Sequence, residues 1–149
     1  MTAAAWAADG ESFVTASLDK NLQLCHWNMQ GEALYIWHGD FRILDCAITV
    51  DGKRVVAADN FSKVHVYNLH THEEEYCLSL PYNANSVSVS RDSRYMLVNI
   101  SGGEIEMIDI ETTDVIRHFK GQKQSNCVIR SIFGGAAETF VLSGSEGKN

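Results

Sequence analysis

The chain has a single proline, Pro81, and no Pro/Gly/Ser-rich stretch long enough to mark a linker. Its 149 residues therefore read as one unit, of a size that buries a single core. Long apolar runs are missing. None approaches the roughly 18 residues of a membrane span. The N-terminal MTAAAWAADG has neither the basic region nor the apolar stretch of a secretory signal. Basic charge is in the minority, with 12 Lys and Arg against 19 Asp and Glu and a net charge of −7. Without a basic stripe to neutralise phosphates, this balance argues weakly against a protein that grips a nucleic-acid backbone. The expected setting is cytoplasmic, or nuclear as well, with neither membrane nor nucleic acid as partner.

Cysteine is sparse and dispersed: Cys25, Cys46, Cys77 and Cys127 form no CxxC pair. One reading is four small buried hydrophobes in a reducing compartment. The other is two disulfides of a secreted protein, which no secretion signal supports. A zinc site built on cysteine lacks the short ligand spacing it needs. The dense ligand cluster lies elsewhere, at His70, His72, Glu73, Glu74 and Glu75. On a strand, His-Thr-His puts two imidazoles on one face, but these residues fall in a polar turn, so a solvated loop is expected and no metal site. His26 beside Cys25 reads as packing or capping. Ser143-Gly-Ser is no nucleophile elbow and Gly134-Gly135 no dinucleotide fingerprint, since both motifs need a following helix. No catalytic residue and no cofactor is expected.

Helical patterning is also missing, and what takes its place is repetition. Asp9-Gly10, Asp51-Gly52 and Asp92-Ser93 are spaced 42 and 41 residues apart. Each turn sits between two short apolar segments, AAAWAA and SFVTAS, DCAITV and RVVAAD, SVSVSR and YMLVNI. A third segment follows at LQLCHW, VHVYNL and IEMIDI, placing Trp27, Tyr67 and Ile108 in equivalent positions. A fourth closes each unit at ALYIW, EEYCLSL and VIRHF. Gly134-Gly135 takes the next turn position and Phe140 opens the strand after it. The segments are short, alternating and rich in Val, Ile, Phe and Tyr, which predicts strands. Asp9, Asp51 and Asp92 are expected to form their turns by accepting local backbone hydrogen bonds.

The prediction is all-β, with fourteen strands grouped four, four, four and two. Units of about 40 residues with four antiparallel strands are propeller blades, which bury both faces by stacking. The blades are expected at about 2–38, 41–80 and 82–120, with a half blade at 125–149. Trp6, Trp27 and Trp37 are expected in the core between blades. A sharper reading places Trp37 beside an exposed edge, where it and Phe140 contact a partner.

Trp27-Asn28 sits where a WD repeat carries its Trp-Asp pair, and Tyr67-Asn68 and Ile108-Asp109 resemble degenerate copies. His38-Gly39-Asp40 and Lys120-Gly121-Gln122 resemble the Gly-His region between blades without its histidine. The resemblance therefore implies an incomplete Asp-His-Ser-Trp network, with packing in its place. SLDKNLQLCHWNMQGEALYIWHG, HVYNLHTHEEEYCL, IDIETTDVIRHFKGQKQ and SIFGGAAETFVLSGSE are similar to the WD40 domain of the Gid7-type subunit of GID/CTLH E3 ubiquitin ligases, in a fungal form. The Phe133-Gly-Gly turn before Phe140 is the most specific of these matches. The resemblance implies a protein-interaction scaffold and ligase subunits as partners. It also implies a LisH-CTLH helical region before a propeller of about seven blades. After Glu146 the family continues with Asp and a strand ending in Trp, where this chain has Gly147-Lys148-Asn149.

Three and a half blades leave two sheet faces uncovered. The expected solution is a second copy, since fourteen strands taken twice equal seven four-stranded blades. The two-stranded ends would then pair by their edges. The alternative is a self-associating repeat module, natural or engineered, without a ligase role.

Overall fold

A computed structural model describes residues 1–19, 23–123 and 128–146. Ser125, at the expected start of the half blade, Cys127 and the final Gly147-Lys148-Asn149 lie outside the described residues. The described chain forms fourteen strands and no helix. Blade 1 contains β1 (Ala3–Trp6), β2 (Ser12–Ala16), β3 (Leu24–Asn28) and β4 (Ala33–Trp37). Blade 2 contains β5 (Ile43–Ile48), β6 (Arg54–Asp59), β7 (Lys63–Asn68) and β8 (Glu74–Ser79). Blade 3 contains β9 (Ala84–Val89), β10 (Tyr95–Ile100), β11 (Glu104–Asp109) and β12 (Val115–Lys120). A two-stranded sheet of β13 (Ser131–Gly134) and β14 (Phe140–Ser143) follows. Strands in every sheet are antiparallel and in chain order.

The first strands do the joining. β5 packs on β1 and β2, β9 on β5 and β6, and β13 on β9 and β10. This explains the apolar run of β6, whose two faces both meet protein. Val55 and Ala57 join Val14, Leu24 and Trp37 in a core between blades 1 and 2. Val56 and Ala58 join Val87, Met96 and Val98 in a core between blades 2 and 3. Ser86-Val87-Ser88-Val89 shows the same logic with a polar face. Val87 and Val89 turn to the second core, while the Ser86 and Ser88 hydroxyls donate to the carbonyls of Ile129 and Ser131 at 3.2 and 2.8 Å.

The expected turn chemistry is present. Asp9 Oδ1 accepts from the Glu11 amide at 2.9 Å. Asp51 Oδ1 accepts from the Thr49 hydroxyl and the Lys53 amide, at 2.7 and 3.1 Å. Asp92 Oδ1 accepts from the Ser90 hydroxyl and the Arg94 amide, at 2.6 and 3.0 Å. The Ser90 hydroxyl, with the Arg94 amide, holds the Asp92 carboxyl below its ordinary range. Successive turns are tied together, because the Asp51 amide donates to Ser93 Oγ and the Arg91 amide to Glu138 Oε2.

Trp27, Tyr67 and Ile108 each sit at a β-bulge between the third and fourth strands of their blade. The residue after each caps the next turn. Asn28, Asn68 and Asp109 each accept two backbone amides through Oδ1. Gly31, His72 and Thr113 then take the left-handed conformation. His70 and His72 therefore lie in the turn expected for them.

Two expectations need correction. Cys77 is exposed, unlike the buried free thiols Cys25 and Cys46, because β8 is an outer strand. Hydrogen bonds also supplement packing where the resemblance implied a broken network. Trp27 Nε1 donates to Thr15 Oγ1 at 2.9 Å, and the buried Gln23 amide clamps the backbone N–H and C=O of Gly39 at 2.9 and 2.8 Å.

Candidate interaction surfaces

The two ends of the blade stack present apolar side chains with no blade against them. On blade 1, Trp6 pairs with Phe13 across β1 and β2, and Phe13 with Trp27 across β2 and β3. Their rings form a ladder with centroids 5.0 and 6.4 Å apart. Trp6 is 59% exposed and Trp27 is half-buried on the same open face, so the expectation that these two lie in the core between blades is corrected. Beside Trp6, Met1, Phe13, Thr15, Ala16 and Trp27 line a shallow depression of about 460 Å³. At the other end Ile132 pairs with Leu142 and Gly134 with Phe140, which puts all four residues on one face. Phe140 is 64% exposed. Gly135 makes room for it, since a Cβ there would lie 2.9 Å from its ring and the φ is +86°, while a Cβ on Gly134 would lie 3.1 Å from the Leu142 side chain. Contiguous apolar patches of this kind mark interaction sites.

Trp37 is 5% exposed, which bears out the reading of a core residue between blades and corrects the sharper one of a partner contact. It lies between blades 1 and 2, its ring 5.2 Å from Tyr67, and its Nε1 donates to the His72 carbonyl at 2.9 Å. The adjacent Tyr35 ring stacks on His72 at 4.4 Å, and His72 Nε2 lies 3.2 Å from Nδ1 of the buried His26. Burial lowers the His26 pKa, with His72 and His70 adding to the effect, and burial also lowers that of His72. This cluster is a joint between blades, not a free surface.

A second joint lies at the first strands of the blades. Asp45 is buried on β5, its Oδ2 accepts from the Val87 amide at 3.1 Å, and its Oδ1 meets Arg130 at 3.1 Å. Burial pushes this carboxyl up, opposed by the amide and the guanidinium. One carboxylate thus ties blade 2 to blade 3 and to the segment leading into β13. The residue was not singled out in the sequence.

The aromatic ladder was also missed, although a signal exists. Trp6 and Phe13 are symmetric about the Asp9-Gly10 turn, so a tight hairpin must pair them.

No family model matches the chain. It is 36% identical over 149 residues to GID complex subunit 7 of Schizosaccharomyces pombe, covering 95% of this chain and 29% of that protein. It is 35% identical over 145 residues to a WD repeat-containing protein 26 homolog of Drosophila melanogaster, covering 97% of this chain and 22% of that one. The chain thus spans less than a third of the length of these curated relatives. In fold it superposes on the structure of U3-55K, with a TM-score of 0.75 and 13% identity over 81% of this chain and 39% of that chain. The RRP9 WD40 repeats give a TM-score of 0.74 and 13% identity, over 81% and 38% of the two chains.

Proposed function

Because this chain is a WD40-repeat domain related to fungal GID7-type and WD repeat-containing protein 26-type subunits, we propose that it is a scaffold segment of a GID/CTLH-type ubiquitin ligase assembly. It is a WD40-type protein-interaction module, and the fold is typically non-catalytic. The observation that carries the proposal is the pair of uncovered apolar faces, Trp6–Phe13–Trp27 at one end and Ile132–Phe140–Leu142 at the other. A second copy covers them by continuing the ring.

The sheet order changes the expected mode of joining. β13 packs on β9 and β10, as β9 packs on β5 and β6. β13 and β14 are therefore the inner strands of their blade. Two such ends paired by their edges would set inner strands back to back and break the ring. Joining the Phe140 face of one copy to the Trp6 face of the other continues it, and forms two identical heterologous contacts.

Introducing a charge at each face, with complementation between the variants, tests this arrangement. Trp6→Glu and Phe140→Glu are each expected to abolish self-association. Mixing the two variants leaves one undamaged contact and restores a dimer. Full dimerisation of Trp6→Glu alone would show that like ends pair. Ligase membership has its own test, a pull-down of the tagged chain from fungal cells with mass-spectrometric detection of GID subunits. Recovery of the chain with itself alone would favour the structural-module reading.

A further inference from the structure

We propose that His65, Glu74 and Cys77 bind a divalent transition-metal ion of the zinc class on the outer part of blade 2. Strand geometry brings the three together. His65 and Cys77 are directly opposed across β7 and β8, so both side chains leave the same face of the sheet. The bulge at Val66/Tyr67 then pairs Glu74 with Tyr67 and puts it on that face too. One nitrogen, one oxygen and one sulfur donor lie within 4.8 Å of one another.

The imidazole is held in place for this role. His65 is buried, and its Nε2 faces Asp59 Oδ2 at 3.1 Å. Asp59 is itself fixed, since its Oδ1 accepts from the Phe61 and Lys63 amides at 2.8 Å each. The Phe41 ring stacks on the imidazole at 4.5 Å. A carboxylate on one ring nitrogen sets the tautomer and leaves the other nitrogen free to ligate, as at many metal-binding histidines. That other nitrogen, Nδ1, lies 2.6 Å from Glu74 Oε1. A hydrogen bond accounts for this pair in the metal-free protein, and a bound metal ion would take the place of its proton.

Imidazole, carboxylate and thiolate together suit zinc-class ions and not magnesium or calcium. Tetrahedral bonds of about 2.0–2.3 Å set the donors roughly 3.3–3.7 Å apart. The Nδ1–Oε1 separation then widens by roughly 0.7 Å, which the exposed Glu74 allows. Glu74 and Cys77 face solvent, so the fourth position is open to water or to a ligand from a partner. Without a cation, burial and then Glu74 raise the Cys77 pKa, while Lys63 opposes them.

Cobalt(II) chloride added to the whole chain tests the site. One equivalent is expected to give a thiolate-to-cobalt absorption band, which zinc chloride then displaces. Cys77→Ser is expected to remove the band. Glu74→Gln is expected to weaken cobalt binding about tenfold or more. Both positions are exposed, so both variants fold, and circular dichroism checks it. The double variant His70→Gln/His72→Gln is expected to keep the band. Absence of a band in the unaltered chain, its persistence in Cys77→Ser, or its loss in the His70/His72 variant would each overturn the proposal.

Discussion

Trp37 separates a blade joint from a binding surface, and truncating it distinguishes the two. The ring is almost fully buried among Tyr67, Tyr35 and His72, and its N–H satisfies the His72 carbonyl. Trp37→Ala removes the ring and leaves a cavity, at a cost of about 3–5 kcal/mol. Trp37→Phe keeps much of the volume but strands the carbonyl, at a cost of about 1–3 kcal/mol. For a chain of this size each kcal/mol moves the midpoint by about 2–4 °C. Trp37→Ala is therefore expected to lower Tm by roughly 6–20 °C, with Trp37→Phe in between. Thermal and urea unfolding followed by circular dichroism measure this at fixed protein concentration, because association also moves Tm. Two variants within about 0.5 kcal/mol of the parent would show that Trp37 is no joint between blades, since that is the range of ordinary surface substitutions.

Two further predictions follow from local geometry. Gly103 has φ of +81°, and a Cβ there would lie 2.5 Å from the Gln122 carbonyl oxygen, so Gly103→Ala is expected to destabilise by about 1–3 kcal/mol in the same unfolding assay. His26 and His72 have folded pKa values below the ordinary 6.5, so their contribution is full above pH 6.5 and is lost as pH falls through the folded values. Melting temperature is expected to drop from pH 7.5 to 5, and to drop less in His26→Gln. Asp45 has a raised folded pKa, so it contributes with the opposite sign and loses stability as pH rises. An unchanged acid slope in His26→Gln would remove the histidine account.

The repeat spacing made the architecture legible. Equivalent turns at Asp9, Asp51 and Asp92 divide the chain into units, and period-two alternation gives each segment its strand character. Ser86–Val89 was legible down to its two faces. What alternation does not state is whether a face has a neighbour. Trp6 and Trp37 both alternate as inward residues, yet one meets solvent and the other a blade. The His65–Glu74–Cys77 group was hidden for a different reason. A strict period of two puts Glu74 and Cys77 on opposite faces, and only the bulge brings them together. Asp45 was hidden because its partners, Val87 and Arg130, are 42 and 85 residues away.

The proposed second copy covers both open faces of the blade stack. Multi-angle light scattering across a dilution series measures the mass directly. The expected mass is about twice the 16.5 kDa of one chain, falling towards a single chain on dilution and in Phe140→Glu. A well-folded monomer at every concentration would contradict it.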